Sequence, residues 1–289
     1  MKYRYKNLSP EKLYNNGDFK SNIVESFIKN HNEIYESLIK NSKKINKASN
    51  ILQDTYLNGG RIFCIGAGTS GRLGVMEAAE MPPTFGVESE KFIGLIAGGR
   101  KALTVAAEGA EDRGELAIDE LNKYNFNKKD FLVGISASGT SDYVLSALRK
   151  AKKMKSKNIL LSCTKPKVKI SDLDIILKVG PEILAGSTRL KSGTITKIAL
   201  NIITTSAMML ADHSYKGLMI DIKPTTKKLR ARCINNLSII LKIEDSLAIK
   251  LLEKSKWNIR VAVIMRKLNV DYSKAKKLSK ELIFKDILG

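Results

Sequence analysis

The 289-residue sequence predicts an α/β fold. It reads as a doubly wound, parallel five-stranded sheet flanked by helices, with a helical N-terminal arm and a small helical C-terminal module. Two observations carry this. From Arg61 onward, short continuous apolar runs alternate with amphipathic helical patterns, which is how strands buried on both faces and their crossover helices read. Two of those strands also break into Gly/Ser/Thr turns that lead straight into helices. In doubly wound sheets, ligands sit outside such carboxyl ends.

Taken in order, the spacing predicts helices over Ile23–Leu38 and Ile45–Leu57, where apolar positions recur every three or four residues, and Asn58-Gly59-Gly60 closes the second. The apolar runs Ile62–Ile65, Phe92–Ala97, Phe131–Ile135, Ile159–Cys163 and Ile175–Val179 predict five strands. Helices are expected near Gly71–Glu80, where Pro82 and Pro83 end the pattern, and over Glu111–Tyr124, Ser141–Lys152 and Ser192–Leu210. Beyond Asp221 only helices are expected: Thr226–Leu241, Ser246–Glu253, Asn258–Leu268 and Tyr272–Phe284. The division is therefore an arm at 1–45, a sheet domain at 46–225 and a module at 226–289.

Composition narrows the function classes. No run of about 18 apolar residues occurs, and the N-terminus has no apolar signal region, so a soluble, unexported, cytoplasmic chain without membrane contact is expected. Cys64, Cys163 and Cys233 are odd in number and widely spaced, which predicts reduced thiols and no metal cage. His31 and His213 are the only histidines, so acid–base chemistry falls mainly to carboxylates, lysines or hydroxyls. The net charge of +21 invites a nucleic-acid reading, but its distribution argues against one. Residues 61–149 carry ten Lys or Arg against twelve Asp or Glu, whereas 223–289 carry seventeen against six. The excess reads as solvated surface, with no specific nucleic-acid partner.

The strongest local signal is Gly66-Ala67-Gly68-Thr69-Ser70-Gly71, between the first strand and its helix. Glycines let backbone approach a ligand, and the free N–H groups of the first helical turn face an anion. Although the spacing fits GxGxxG, no acid follows the next strand, and the hydroxyls of Thr69 and Ser70 suit a compact phosphate monoester better than a dinucleotide. Ser136, Ser138, Gly139 and Thr140 form a second such turn, so the two can grip one phosphate from both sides. Ser187, Thr188 and Lys191 belong to a third cluster before the long helix, which also reads as a capped helix start. Glu80 lies in the last turn of its predicted helix, where a carboxylate opposes the dipole. Glu111 lies in Ala107-Glu108-Gly109-Ala110-Glu111-Asp112 at a predicted helix start, where a carboxylate is dipole-favoured and usually structural.

The motifs GAGTSGRLGVMEAAEMPPTFG, AEGAED, GISASG and GPEILAGSTRLKSGT, in this order, resemble the N-acetylmuramic acid 6-phosphate etherase family of the sugar isomerase (SIS) fold. The likeness covers about residues 45–230. It implies an SIS-type sheet and a cytoplasmic homodimer acting on a phosphosugar without metal or cofactor. The implied reaction cleaves the lactyl ether, yielding N-acetylglucosamine 6-phosphate and D-lactate, and the two essential glutamates fall on Glu80 and Glu111. Gly68, Thr69, Ser70, Gly71, Ser136, Ser138, Gly139, Thr140, Ser187, Thr188 and Lys191 are then the expected sugar-phosphate contacts. Departures from the pattern stand at Met81, Arg113, Thr140-Ser141-Asp142, His213–Gly217 and Thr226. A regulatory SIS protein that binds sugar phosphates without chemistry, or an aldose–ketose isomerase, are the alternatives. Retention of both glutamates argues against a mere sensor.

Overall fold

A computed structural model of the chain describes residues 10, 12–15 and 21–288; the start of the predicted arm lies outside the described residues. Two compact units are formed. One takes the residues up to Ala79 together with Glu90–Ser206; the other takes Glu80–Ser89 with the residues from Ala207 on.

In the first unit, α1 (Ile23–Asn30) and α2 (Glu33–Leu57) precede the sheet. Strands β1 (Ile62–Gly66), β2 (Phe92–Ile96), β3 (Phe131–Ile135), β4 (Lys157–Ser162) and β5 (Leu173–Ile176) pair in the order β2-β1-β3-β4-β5, all parallel. Every residue of β1 and β3 is buried, as a sheet covered on both faces requires. On one face, α4 (Gly114–Lys123) and α5 (Asp142–Lys153) add Ala117, Leu121, Val144, Ala147 and Leu148 to a core with Phe63, Ile65 and Leu132. Helix α3 (Gly68–Phe85) closes against the strands at Gly94, where a Cβ would lie 2.4 Å from the Val75 Cα. Bidentate contact of Arg61 with buried Asp130, at 3.0 and 2.8 Å, ties the starts of β1 and β3 together.

The second unit is helical: α7 (Lys227–Leu241), α8 (Asp245–Lys254), α9 (Ile259–Leu268), α10 (Tyr272–Leu278) and α11 (Phe284–Leu288). Its core gathers Cys233, Leu237, Ala248, Leu252, Ile259, Ala262 and Phe284. Arg260 holds it internally, donating to Asp212 at 2.7 Å and to Asp221 at 2.9 Å. These pairs keep the Arg260 pKa above its ordinary value against the opposing effect of burial.

Several boundaries differ from the sequence reading. The two N-terminal helices break at His31, and the second runs unbroken from Glu33, because the polar stretch Lys40–Lys44 forms its outer face. Buried Asn41 within that stretch donates to the carbonyls of Ser37 and Ile176. Helix α3 starts three residues early and continues through Pro82 and Pro83. Each proline removes its own N–H and crowds the carbonyl four residues back, and the burial of Met81 and Phe85 holds the last turn in place against that cost. The fifth strand sits at Leu173–Ile176 rather than Ile175–Val179, the last predicted helix splits into α10 and α11, and a short hairpin of β6 (Ser214–Tyr215) and β7 (Leu218–Met219) was not legible.

The long helix α6 (Lys191–Leu210) is long and apolar enough by composition to cross a membrane, but half of that apolar stretch is buried inside the protein. Its Thr196 and Thr204 hydroxyls bond carbonyls one turn back, as in a core helix. All three cysteines are free and buried.

Candidate active site

Strand β1 has β2 on one side and β3 on the other, so the chain reverses direction across the sheet there, and Gly66 pairs with Ile135 at the carboxyl ends. Such a switch point leaves a crevice for ligand. Both Gly/Ser/Thr turns start from these two paired residues. Gly68 adopts φ +53° and opens α3, whose first-turn amides face outward from the strand end. Gly71 is needed for close approach, since a Cβ there would lie 2.6 Å from the Gly66 carbonyl oxygen. In the second turn Gly139 adopts φ +69°, and its N–H donates to Ser136 Oγ at 3.1 Å.

A cavity of about 450 Å³ opens over this switch point. Gly68, Thr69 and Ser70 line it from the first turn, Ser136, Ser138 and Ser141 from the second, Gly186 and Thr188 from the third segment, and Glu111 from its rim. None of the lining residues is Lys or Arg. An anion held there is held by amides, hydroxyls and the α3 dipole.

Glu111 sits on a single 3-10 turn, Ala110–Asp112, ahead of α4 rather than in its first turn. The dipole argument made from sequence therefore does not apply to it. Its backbone carbonyl accepts from Ser141 Oγ at 3.1 Å, which ties the turn to the start of α5. Although the residue as a whole is exposed, its carboxyl is raised above the ordinary pKa by desolvation over the cavity, with repulsion from Asp112 and Glu108 adding to it.

The remaining expected contacts are placed elsewhere. Gly71 serves the strand–helix approach. Gly139 and Thr140 line a different, smaller cavity, and the Thr140 hydroxyl donates to Ser138 Oγ at 2.8 Å. Ser187 closes a turn onto the Leu184 carbonyl. Lys191 is buried, 1% exposed, and its ammonium pairs with Glu33 at 3.2 Å, a partner far off in sequence. Glu80 is exposed on α3, five residues before its end at Phe85, outside the reach of the last-turn dipole.

The start of α6 is capped by the protein itself. The fully buried Glu182 carboxylate accepts from the amides of Lys191 and Ser192 at 3.0 and 2.8 Å and from the Ser192 hydroxyl at 2.6 Å. This N-terminus is thus already occupied by an anion. Glu182→Ala is expected to lower stability by roughly 2–4 kcal/mol, because three buried donors lose their acceptor. Urea unfolding followed by circular dichroism checks it; a loss under about 1 kcal/mol would assign the cap to water or a neighbour.

Sequence reasoning did not single out two groups at the site. Ser141 occupies the N-cap position of α5 without capping it, and its position before a helix start was the available signal. Arg72 and Glu108 line a second cavity of about 180 Å³ that shares Ala67, Gly68 and Glu111 with the first.

The N-terminal SIS domain model of glucokinase regulatory protein matches residues 43–152. A Staphylococcus epidermidis protein named N-acetylmuramic acid 6-phosphate etherase is 48% identical over 212 residues, covering 73% of this chain and 72% of its own. A Lactobacillus johnsonii protein of the same name is 37% identical over 275 residues, 94% of this chain and 92% of its own. Among solved structures, phosphoheptose isomerase GmhA from Neisseria gonorrhoeae overlays with a TM-score of 0.47 at 18% identity, over 65% of this chain and 97% of that one.

Proposed function

The chain belongs to the N-acetylmuramic acid 6-phosphate etherase family, and from that premise we propose that it cleaves the D-lactyl ether of N-acetylmuramic acid 6-phosphate. The products are N-acetylglucosamine 6-phosphate and D-lactate, in the recycling and breakdown of amino sugars. The observation that carries the reading is Glu111, a carboxyl with a raised pKa on the rim of a hydroxyl- and amide-lined cavity. A phosphosugar sensor has use for the cavity and none for that carboxyl.

In the ring-opened sugar, the C2 proton is α to the C1 aldehyde and the lactyl oxygen on C3 is β to it. The phosphate enters the cavity over β1 and β3, and its binding positions C2 and C3. Glu111 as carboxylate takes the C2 proton. The C3–O bond then breaks with its electron pair on the lactyl oxygen, which takes a proton from Glu80. Water adds across the resulting double bond, hydroxyl to C3 and proton to C2.

Helix geometry bears on where that Glu80 comes from. Glu80 follows Gly68 along the same helix by about 18 Å at ~1.5 Å per residue. That is longer than a hexose 6-phosphate. The reading therefore includes a homodimer in which the partner subunit's Glu80 serves each cavity. It also keeps the division into an arm, a sugar-phosphate domain and a helical module, in a cytoplasmic enzyme.

The direct test is D-lactate release from N-acetylmuramic acid 6-phosphate by purified protein; binding without release would leave the sensor or the isomerase. The pH dependence follows from the charge on Glu111. A base must be ionised, so kcat falls as pH drops through the raised Glu111 pKa, above where an ordinary carboxylate would place that limb. Removing a repulsive neighbour lowers that pKa. Asp112→Asn is expected to move the acid limb of kcat to lower pH, and a limb that stays put in Asp112→Asn would assign it to another group.

A further inference from the structure

The substrate carries two anions, the phosphate and the lactyl carboxylate, and the site offers two joined cavities with Glu111 at their junction. The larger one suits phosphate through amides and hydroxyls. The smaller contains the one cation that lines either cavity among the described residues, Arg72. Arg72 lies one helical turn beyond Gly68 on α3, so both face the same side. Its Nε donates to the Leu103 carbonyl at 3.1 Å, which fixes the guanidinium plane. Its two terminal nitrogens have no hydrogen-bond or ion-pair partner among the described residues, and it forms no ion pair with Glu108 across the cavity. The rest of the cavity lining is mostly small, with Ala97, Ala102, Ala106 and Ala107 leaving volume for a ligand group beside the guanidinium.

We propose that this second cavity is the lactyl subsite and that Arg72 binds the lactyl carboxylate through its two free nitrogens. The proposal rests on the etherase reading of the same site. The chemistry is that of a planar fork meeting a carboxylate, the geometry in which arginine is most selective. The topology agrees with it. The lactyl group hangs from C3, next to the C2 that Glu111 deprotonates, so a substrate with its phosphate over β1 and β3 extends its C3 substituent past Glu111 into the Arg72 cavity. Arg72 thus reads the feature that separates N-acetylmuramic acid 6-phosphate from N-acetylglucosamine 6-phosphate.

The test compares wild type, Arg72→Gln and Arg72→Lys. Steady-state lactate release gives KM and kcat for N-acetylmuramic acid 6-phosphate, and calorimetry gives Kd for N-acetylglucosamine 6-phosphate, which keeps the phosphate and acetamido groups and lacks lactyl. Loss of a charge-assisted bond predicts a KM rise of roughly 10- to 100-fold in Arg72→Gln, with the Kd changed by less than about twofold and Arg72→Lys in between. Equal weakening for both ligands would overturn the proposal, since it would make Arg72 a phosphate ligand or a scaffold for Leu103, and so would an unchanged KM. A wild type that binds both sugars but releases no lactate would instead remove the etherase reading. Calorimetry on both sugars in wild type and Arg72→Gln would then judge the lactyl subsite, and equal weakening of the two Kd values would overturn it.

Discussion

Glu111→Ala is expected to slow D-lactate release by about 10² to 10⁴ and, in heavy water, to lose exchange of the substrate C2 proton along with it. Deprotonation at C2 is the first chemical step, so nothing downstream survives loss of the base. Two properties of Glu111 support the assignment. It borders both cavities, which puts it beside the middle of a substrate whose phosphate and lactyl ends lie on either side. Its pKa is raised by desolvation, Asp112 and Glu108, which makes the carboxylate a stronger base than one in water. The residue as a whole is exposed and it caps no helix, so the variant should fold with little change in unfolding midpoint. Glu111→Gln, which keeps the shape and removes the charge, should match Glu111→Ala in both readouts. Retained exchange in either variant would move the base elsewhere.

Much of this site was legible because its parts are local. A strand, a glycine turn and a helix start are contiguous in sequence, so Gly68, Thr69, Ser70, Ser136 and Ser138 could be picked out from residue types and order. The five strands were legible because short apolar runs bounded by turn residues read as buried strands, although the fifth was placed two residues late. What was not legible depends on distant pairing. Lys191 reads as a cation beside a hydroxyl cluster, and only the fold shows it buried against Glu33. Glu182 stands in the cluster that also reads as a capped helix start, and only the fold shows it turned back onto the first amides of α6 as the cap. The proline rule failed at Pro82 and Pro83 because it counts lost hydrogen bonds and cannot see Met81 and Phe85 being buried. That failure matters for function. With α3 extended to Phe85, Glu80 no longer sits at a helix end, so the helix dipole cannot explain why it would carry a proton.

Glu80→Ala is expected to lose D-lactate release by a similar factor, about 10² to 10⁴, while still exchanging the C2 proton in heavy water. As the proposed proton donor to the leaving lactyl oxygen it acts after deprotonation, so the first step remains open to the variant. Loss of exchange in Glu80→Ala would make it part of the base machinery, and full release would remove it from the mechanism. The second readout concerns which chain supplies it. The run of α3 from Gly68 to Glu80, about 18 Å, separates the residue from the phosphate loop of its own subunit, and its side chain is exposed. If each cavity uses the partner subunit's Glu80, two inactive variants should rescue one another. In a heterodimer of Glu80→Ala with Glu111→Ala, the cavity that keeps Glu111 faces a partner that keeps Glu80, and the other cavity has neither. Random pairing of equal amounts makes half the dimers mixed, each with one working site, so co-expression should restore about a quarter of wild-type activity by two-fold symmetry. Were Glu80 to serve its own cavity, each site would lack one glutamate and no mixture would recover any activity.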